Sequence, residues 1–481
     1  MSIHAISTGV LITHWLVVIG LSLRVISRRS PVGVASAWLA IIFSVPFVGA
    51  ALYLLFGEKR LGRGRVARTR AHLPDLQAWQ RGLGHASVSS LEGAPVAGAL
   101  ASLAKGLYGF PPQAGQGITL LDNYPAIFDA IVADIDRAQR RCHLAFYIWY
   151  GEGRTLDVVE ALVRAAQRGV QCKAMADALG SKVFLQGPHL RRLREAGVQF
   201  EIALPMGRIP SLRSRADLRN HRKIVVIDED IAYTGSQNLV DPRYFKQDSG
   251  AGQWVDAMAR ISGPAVSSLD AVFELDWAVE TRKPFEAPVV AGTENAEQTG
   301  MVLQVVPSGP DLEPEGIHQL LLTAIYNARS EIVMTTPYFV PDESFILALL
   351  AAAQRGARVT LIVPAHNDSL LVRHASVASF DTLLQAGVDI ALFKGGLLHT
   401  KSLVIDGQTC VFGSVNLDMR SLWLNFEISL FVYDKEFCAR LRALQNTYLD
   451  DSEMLTLEQW RRRPRWQKFV EDTFRLLGPV L

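Results

Sequence analysis

"HTKSLVIDG" occupies residues 399–407, and "HRKIVVIDE" occupies residues 221–229. Each reads His-x-Lys, four residues, then Asp: His221, Lys223 and Asp228 in the first, His399, Lys401 and Asp406 in the second. In an extended strand, residues i and i+2 face the same way, so each His and its Lys project together. The apolar runs "IVVI" and "SLVI" read as buried strands, and each aspartate stands at the turn that follows. Its parity is opposite to that of the histidine, which points to holding the turn. The next strand of each copy ends in Gly-Ser-x-Asn, returning Ser236 and Asn238, and Ser414 and Asn416, to the same end of the sheet.

The repetition extends outward. "AAQRGV" at 165–170 returns as "AAQRGA" at 352–357, and "REAGVQFEI" at 194–202 returns as "LQAGVDIAL" at 384–392. Both the histidines and the Gly-Ser-x-Asn segments recur after 178 residues. Strand-like apolar runs alternate with helical stretches, the pattern of an α/β sheet. The body is therefore expected to be two copies of one α/β unit. Before its histidine the first copy holds 12 extra residues, within "LPMGRIPSLRSRADLRN". This loop carries Arg208, Arg213, Arg215 and Arg219 and either meets lipid phosphates or is an ordinary solvated loop.

One copy offers an imidazole, an ammonium, a hydroxyl and an amide. Facing each other, two copies suit a phosphodiester. One imidazole attacks phosphorus while the other protonates the leaving alkoxide. The lysines, serines and asparagines supply donors for the phosphate oxygens. No metal or other cofactor is needed, and no run of His, Cys, Asp or Glu has metal-ligand spacing. A lone His-x-Lys means little. Of eleven histidines, however, only these two have it, with identical spacing downstream.

Composition narrows the class. Hydrophobic residues make up 49% of the 481, and the net charge is only +2. That balance gives no field for nucleic acid. Four scattered cysteines make no disulfide framework and suit a reducing compartment. The apolar excess sits in front, where residues 5–23 and 31–56 carry no charge. As helices, each would extend about 28 Å or more, enough to span a bilayer core. A signal peptide has a basic start, and no Lys or Arg precedes Arg24. The expectation is a multi-pass membrane hairpin, with a hairpin that does not fully cross as the alternative. Arg24, Arg28 and Arg29 lie between the runs, and Lys59, Arg60, Arg63, Arg65, Arg68 and Arg70 follow them. The richer basic flank puts the body in the cytoplasm. Those six residues either touch anionic headgroups or serve only as topology signals. The tail "WQKFVEDTFRLLGPVL" (466–481) is an amphipathic helix that touches the membrane or packs on the body.

At "NHRKIVVID", "LLHTKSLVIDG" and the anchor ending "LYLLFGEKR", the chain resembles the phospholipase D superfamily, and within it the bacterial cardiolipin synthases of the membrane-anchored type. The resemblance covers the body from about residue 116 onward. It implies two phospholipase D-like α/β lobes related by a pseudo-twofold axis, sharing one active site, behind an N-terminal helical hairpin. The implied division is 1–60 anchor, 61–115 partly helical linker, 116–295 first lobe and 296–481 second lobe. By family analogy the catalytic signature is His221, Lys223, Asp228, His399, Lys401 and Asp406, with His221 as nucleophile and His399 as general acid, then base. The family orients each imidazole through an acid downstream of it, and Asp256 and Glu427 match those positions, while Ser236, Asn238, Ser414 and Asn416 match the phosphate ligands.

The reaction implied moves a phosphatidyl group from one phosphatidylglycerol to another, giving cardiolipin and glycerol through a phosphohistidine, at the inner membrane of a bacterial cell. A hydrolytic phospholipase D, and a transferase using phosphatidylethanolamine or another alcohol, share the first half-reaction. A superfamily nuclease fits the anchor and charge less well. A membrane-tethered lipid-binding module with an idle site is the reading from another class.

Overall fold

The computed structural model describes residues 3–28, 32–45, 47–58, 61–83, 91, 95–205, 217–290 and 300–476. Lys59, Arg60, Arg208, Arg213, Arg215, the tail beyond residue 476 and the lobe boundary at 295/296 lie outside the described residues. Two compact units are present, one up to Val66 and a larger one that holds nearly all the rest.

The N-terminal unit contains α1 (Ile3–Ser27), α2 (Val32–Ser44) and α3 (Val48–Phe56). Val18, Val25, Trp38, Ile42 and Tyr53 form its small core. Glu58 ties the ends together, accepting from Arg24 Nε at 2.5 Å and the Tyr53 hydroxyl at 3.0 Å. The uninterrupted second span expected over 31–56 is broken. Pro46 follows α2 closely and has no N–H to continue a helical ladder. At 1.5 Å per residue α2 and α3 reach only about 20 and 14 Å, short of a hydrocarbon core of about 30 Å. Among the described residues no helix is long and apolar enough to cross a membrane. The outer side chains of α1, including Leu11, Leu16 and Leu23, are nonetheless exposed.

The larger unit is a mixed α/β fold of two lobes. The first contributes β1 (Gln113–Leu121), β2 (Arg141–Phe146), β3 (Gln171–Asp177), β4 (Gln199–Ala203), β5 (Ile224–Ile227), β6 (Ile231–Gly235) and β7 (Met258–Ser262). The second contributes β8 (Met301–Ser308), β9 (Glu331–Thr335), β10 (Arg358–Pro364), β11 (Asp389–Phe393), β12 (Ser402–Ile405), β13 (Thr409–Gly413) and β14 (Glu427–Val432), with edge strand β15 (Ser452–Leu455). All fifteen form one sheet in the order β15-β11-β10-β9-β12-β13-β14-β8-β1-β7-β6-β5-β2-β3-β4. Reading outward from the antiparallel pair β1–β8, the two halves repeat strand for strand. β3 and β10 take parallel neighbours on both sides, whereas the hairpins β5–β6 and β12–β13 are antiparallel. The motif strands β5 and β12 are buried at every residue.

Two of the "linker" helices belong to this body. Leu76 of the helix Arg63–Gly82, and Leu100 and Tyr108 of the helix Pro95–Tyr108, join the main core. Trp79 Nε1 donates to the Pro288 carbonyl at 2.8 Å. Helix Ala265–Thr281 is buried along nearly its whole length, and its Asp276 receives Arg222 Nη1 at 2.6 Å.

Candidate active site

Each ladder starts just after its motif lysine, at Ile224 and Ser402, so His221–Lys223 and His399–Lys401 form the lead-in to their strands. These lead-ins pair across the lobes. The His221 amide donates to the Phe426 carbonyl, and the His399 amide donates to the Val255 carbonyl, both at 2.8 Å. The residue after each acceptor is an acid. His221 Nδ1 lies 2.8 Å from Glu427 Oε2, and His399 Nδ1 lies 2.6 Å from Asp256 Oδ1. Each imidazole is thus gripped by the opposite lobe, which leaves Nε2 as the nitrogen for substrate. Lys223 Nζ donates to its own motif's His221 carbonyl at 2.7 Å, and Lys401 does the same to His399 at 2.5 Å.

His221, His399, Asn238 and Asn416 line one cavity of about 440 Å³. Asn238 Oδ1 accepts from the Ile148 amide at 3.1 Å, while its buried Nδ2 has no partner among the described residues. That amide keeps an unclaimed donor beside the cavity.

The serines behave otherwise. Ser414 Oγ donates to Glu427 Oε2 at 2.5 Å and accepts the Ile428 amide at 2.9 Å. Ser236 Oγ accepts the Ala257 amide at 3.0 Å. Both are fully buried, with their hydroxyls engaged by the acid-bearing segments. The preceding glycines allow this approach. A Cβ on Gly235 would strike the Ala257 carbonyl, and one on Gly413 the Ile428 carbonyl.

Asp228 and Asp406 are engaged elsewhere. Asp228 accepts the amides of Gln139, Arg140 and Arg141 at 2.6, 2.8 and 2.9 Å. Asp406 accepts those of Arg329, Ser330 and Glu331 at 2.9, 2.8 and 2.9 Å. Both stand in the left-handed region at φ 52°, which Asp tolerates. They brace the turns, as their parity indicated, and neither lines the cavity.

Electrostatics follow from burial. Desolvation lowers His221 to about 4, partly opposed by Glu427 and assisted by Lys223. Desolvation likewise lowers His399 to about 3, against the pull of Asp256. Burial brings Lys223 down to about 8 and Lys401 well below its ordinary value. For Asp256 and Glu427 burial pushes upward, but the adjoining His and Lys outweigh it and both stay below the usual carboxylate range. The resting site therefore holds two neutral imidazoles, two carboxylates and an ammonium on Lys223, ready for an anion.

Several wall residues went unnoticed in the sequence. The Tyr147 ring is centred 5.0 Å from His221, and the Trp254 ring 4.2 Å from His399. Tyr338, Lys246, Asp368 and Arg420 also line the cavity, as does Arg219 from the basic loop. Tyr147 and Tyr338 follow the ends of β2 and β9, where sheet-edge sites collect, and that position was the available signal. A buried cluster of His143, Asp270 and Glu274 has the ligand types of a metal site although its residues are far apart in sequence. Lys173 Nζ already sits 2.8 Å from Glu274 Oε1, so the cluster is filled by an ion pair.

Comparison with known proteins agrees with this geometry. The family described as "Cardiolipin synthase, PLD-like domain" matches residues 131–277 and 321–447, one stretch per lobe. A family described as "Phospholipase_D-nuclease N-terminal" matches residues 15–58. Cardiolipin synthase A of Yersinia pseudotuberculosis serotype O:1b (strain IP 31758) is 44% identical over 474 residues, 97% of either chain. That of Klebsiella pneumoniae (strain 342) is 44% identical over 475 residues, 98% of either chain. A crystal structure of a phosphatidylserine synthase from Haemophilus influenzae Rd KW20 shares the fold, with a TM-score of 0.60 at 15% identity, over 79% of this chain and 100% of that one. The cross-lobe His–carboxylate pairs on a doubled α/β sheet define the phospholipase D class of phosphoryl-group enzymes. Within it, the chain belongs to the cardiolipin synthase, PLD-like family of phosphatidyltransferases.

Proposed function

We propose that the chain makes cardiolipin and glycerol from two phosphatidylglycerols by two displacements at phosphorus. The observation that carries this reading is the pair of imidazoles in one cavity, each with Nδ1 bound to a carboxylate from the other lobe. His221 Nε2, neutral at rest, attacks the donor phosphorus. The P–O bond to glycerol breaks, and His399 delivers a proton to that oxygen. The anionic substrate favours the imidazolium form of His399, and Asp256 stabilises it. In the second step His399 takes the proton from the primary hydroxyl of another phosphatidylglycerol. The new O–P bond forms, the N–P bond breaks, and its electron pair returns to Nε2. Lys223, Lys401 and the Asn238 amide stabilise the charge on the equatorial oxygens.

The bilayer supplies both lipids. The N-terminal unit engages it through the exposed apolar side chains of α1, with the short α2 and α3 entering without crossing. The test uses purified protein in vesicles of phosphatidylglycerol alone, with products read by mass spectrometry. Cardiolipin with one glycerol released per turnover is expected. Phosphatidic acid with glycerol would replace the transferase reading by hydrolysis.

A further inference from the structure

The acceptor in this reaction differs from a simple alcohol because its attacking hydroxyl belongs to a glycerol that carries a second phosphodiester anion. Among the described residues three Lys or Arg side chains line the cavity, of which Arg219 and Arg420 lie near Tyr147 on the His221 side, and Lys246 lies on the His399 side. Lys246 lines the cavity from the first lobe, its side chain 47% exposed. Its Nζ lies 5.7 Å from the centre of the Trp254 ring and 5.8 Å from that of Phe245. Trp254 in turn packs on His399, so Lys246 belongs to the side where the alcohol is deprotonated.

The ammonium is held in position. Asp368, from the second lobe, meets Nζ at 2.7 Å with its side chain only 1% exposed, and the Tyr338 hydroxyl donates to the other carboxylate oxygen at 2.9 Å. An ammonium has three protons, so two directions remain after Asp368. The backbone at Lys246 is left-handed, with φ 50°, a conformation costly to a side-chain-bearing residue and tolerated where the surroundings fix it. In the first lobe the matching wall after β3 is Leu179 and Gly180, which offer no charged group.

We infer that Lys246, positioned by Asp368 and Tyr338, is the binding site for the phosphodiester anion of the acceptor lipid. It makes a phosphate-bearing glycerol a better acceptor than free glycerol. This rests on the transferase reading above, and the test separates the two.

Phosphatidyl-p-nitrophenol in detergent serves as donor, and glycerol and glycerophosphoglycerol compete as acceptors in one tube. The wild type should favour glycerophosphoglycerol. Lys246→Gln should lower that preference at least about tenfold, as expected for one charge-assisted hydrogen bond. Lys246→Arg should restore part of it, and Asp368→Asn should move the ratio in the same direction as Lys246→Gln. A ratio in Lys246→Gln within twofold of the wild type, or equal losses with both acceptors, would overturn the inference while leaving the transferase intact. Only phosphatidic acid from the wild type would instead remove the transferase reading, and the inference with it.

Discussion

Beside His221 lie Tyr147 and Glu427, and beside His399 lie Trp254 and Asp256. The motif letters match, yet the residues between His and Lys diverge. Arg222 is buried, donating to Asp276, to the Glu427 carbonyl at 3.0 Å and to the Ser308 carbonyl at 3.1 Å. Its counterpart Thr400 carries no charge, and its hydroxyl meets the Tyr448 hydroxyl at 3.0 Å and donates to the Val255 carbonyl at 3.3 Å. Glu427 is held by Ser414 and by Asn425 at 3.2 Å, whereas Asp256 has Ser236 beside it and no amide donor corresponding to Asn425 among the described residues. The His221 half is braced from several sides, and in the proposed mechanism it carries the covalent group. The His399 half has Lys246 and Asp368 on its wall, and in the proposed mechanism its imidazole exchanges protons with two different alcohols. Duplication provided two sets of like groups, and the unequal walls support the proposed division of labour between them.

Removing the imidazoles is the strongest way to break this comparison. His221→Ala should lower cardiolipin formation by more than about 10⁴-fold, and His399→Ala by about 10²- to 10⁴-fold. Equal losses with a nitrophenyl donor, which needs no acid for departure, would contradict the division.

The carboxylates come next. Glu427→Gln and Asp256→Asn keep the shape but surrender the charge that stabilises each imidazolium. A fall in kcat of about 10²-fold is expected from each. Steady-state kinetics with unchanged KM would place the loss in the chemical step.

A bell-shaped pH profile should follow from the lysine and histidine shifts. His221, held at about 4, is the nucleophile only when neutral, so activity falls as pH drops through that value. Lys223, lowered to about 8, binds phosphate only as the ammonium, so activity also falls as pH rises through that value. Rates flat from about pH 3 to 9 would contradict both assignments.

The turn aspartates should affect stability rather than chemistry. Asp228→Ala or Asp406→Ala strands three backbone donors, a cost of about 1–3 kcal/mol. Denaturant unfolding should show the lower midpoint, while turnover per folded molecule stays near the wild type. Chelation should have the smallest effect. EDTA is expected to leave the rate unchanged, because imidazoles and ammonium groups perform the steps described.

Much of this was legible in the residues. The alternation of "IVVI" and "SLVI" with helical segments marked the strands, and the 178-residue repeat marked the two lobes. Spacing also brought His221, His399, Asn238 and Asn416 to one cavity. What stayed hidden depends on pairing between distant strands. No local pattern shows that His221 takes its carboxylate from 206 residues downstream, or that His399 takes its own from 143 residues upstream. The bonds that the serines make to the acid-bearing segments stayed hidden for a related reason. The glycine before each serine lets the neighbouring strand come close enough to claim the hydroxyl. The break after α2 was written at Pro46, but the uncharged composition of 31–56 outweighed it.

The division between the two halves is tested most directly by trapping the covalent intermediate. His399→Ala and, separately, His221→Ala would be mixed with phosphatidyl-p-nitrophenol, quenched within one turnover, and mapped by peptide mass spectrometry. The expected result is a phosphatidyl group on His221 in the first variant and no adduct in the second. An adduct on His399 in the second variant, with none on His221 in the first, would reverse the roles assigned to the two halves.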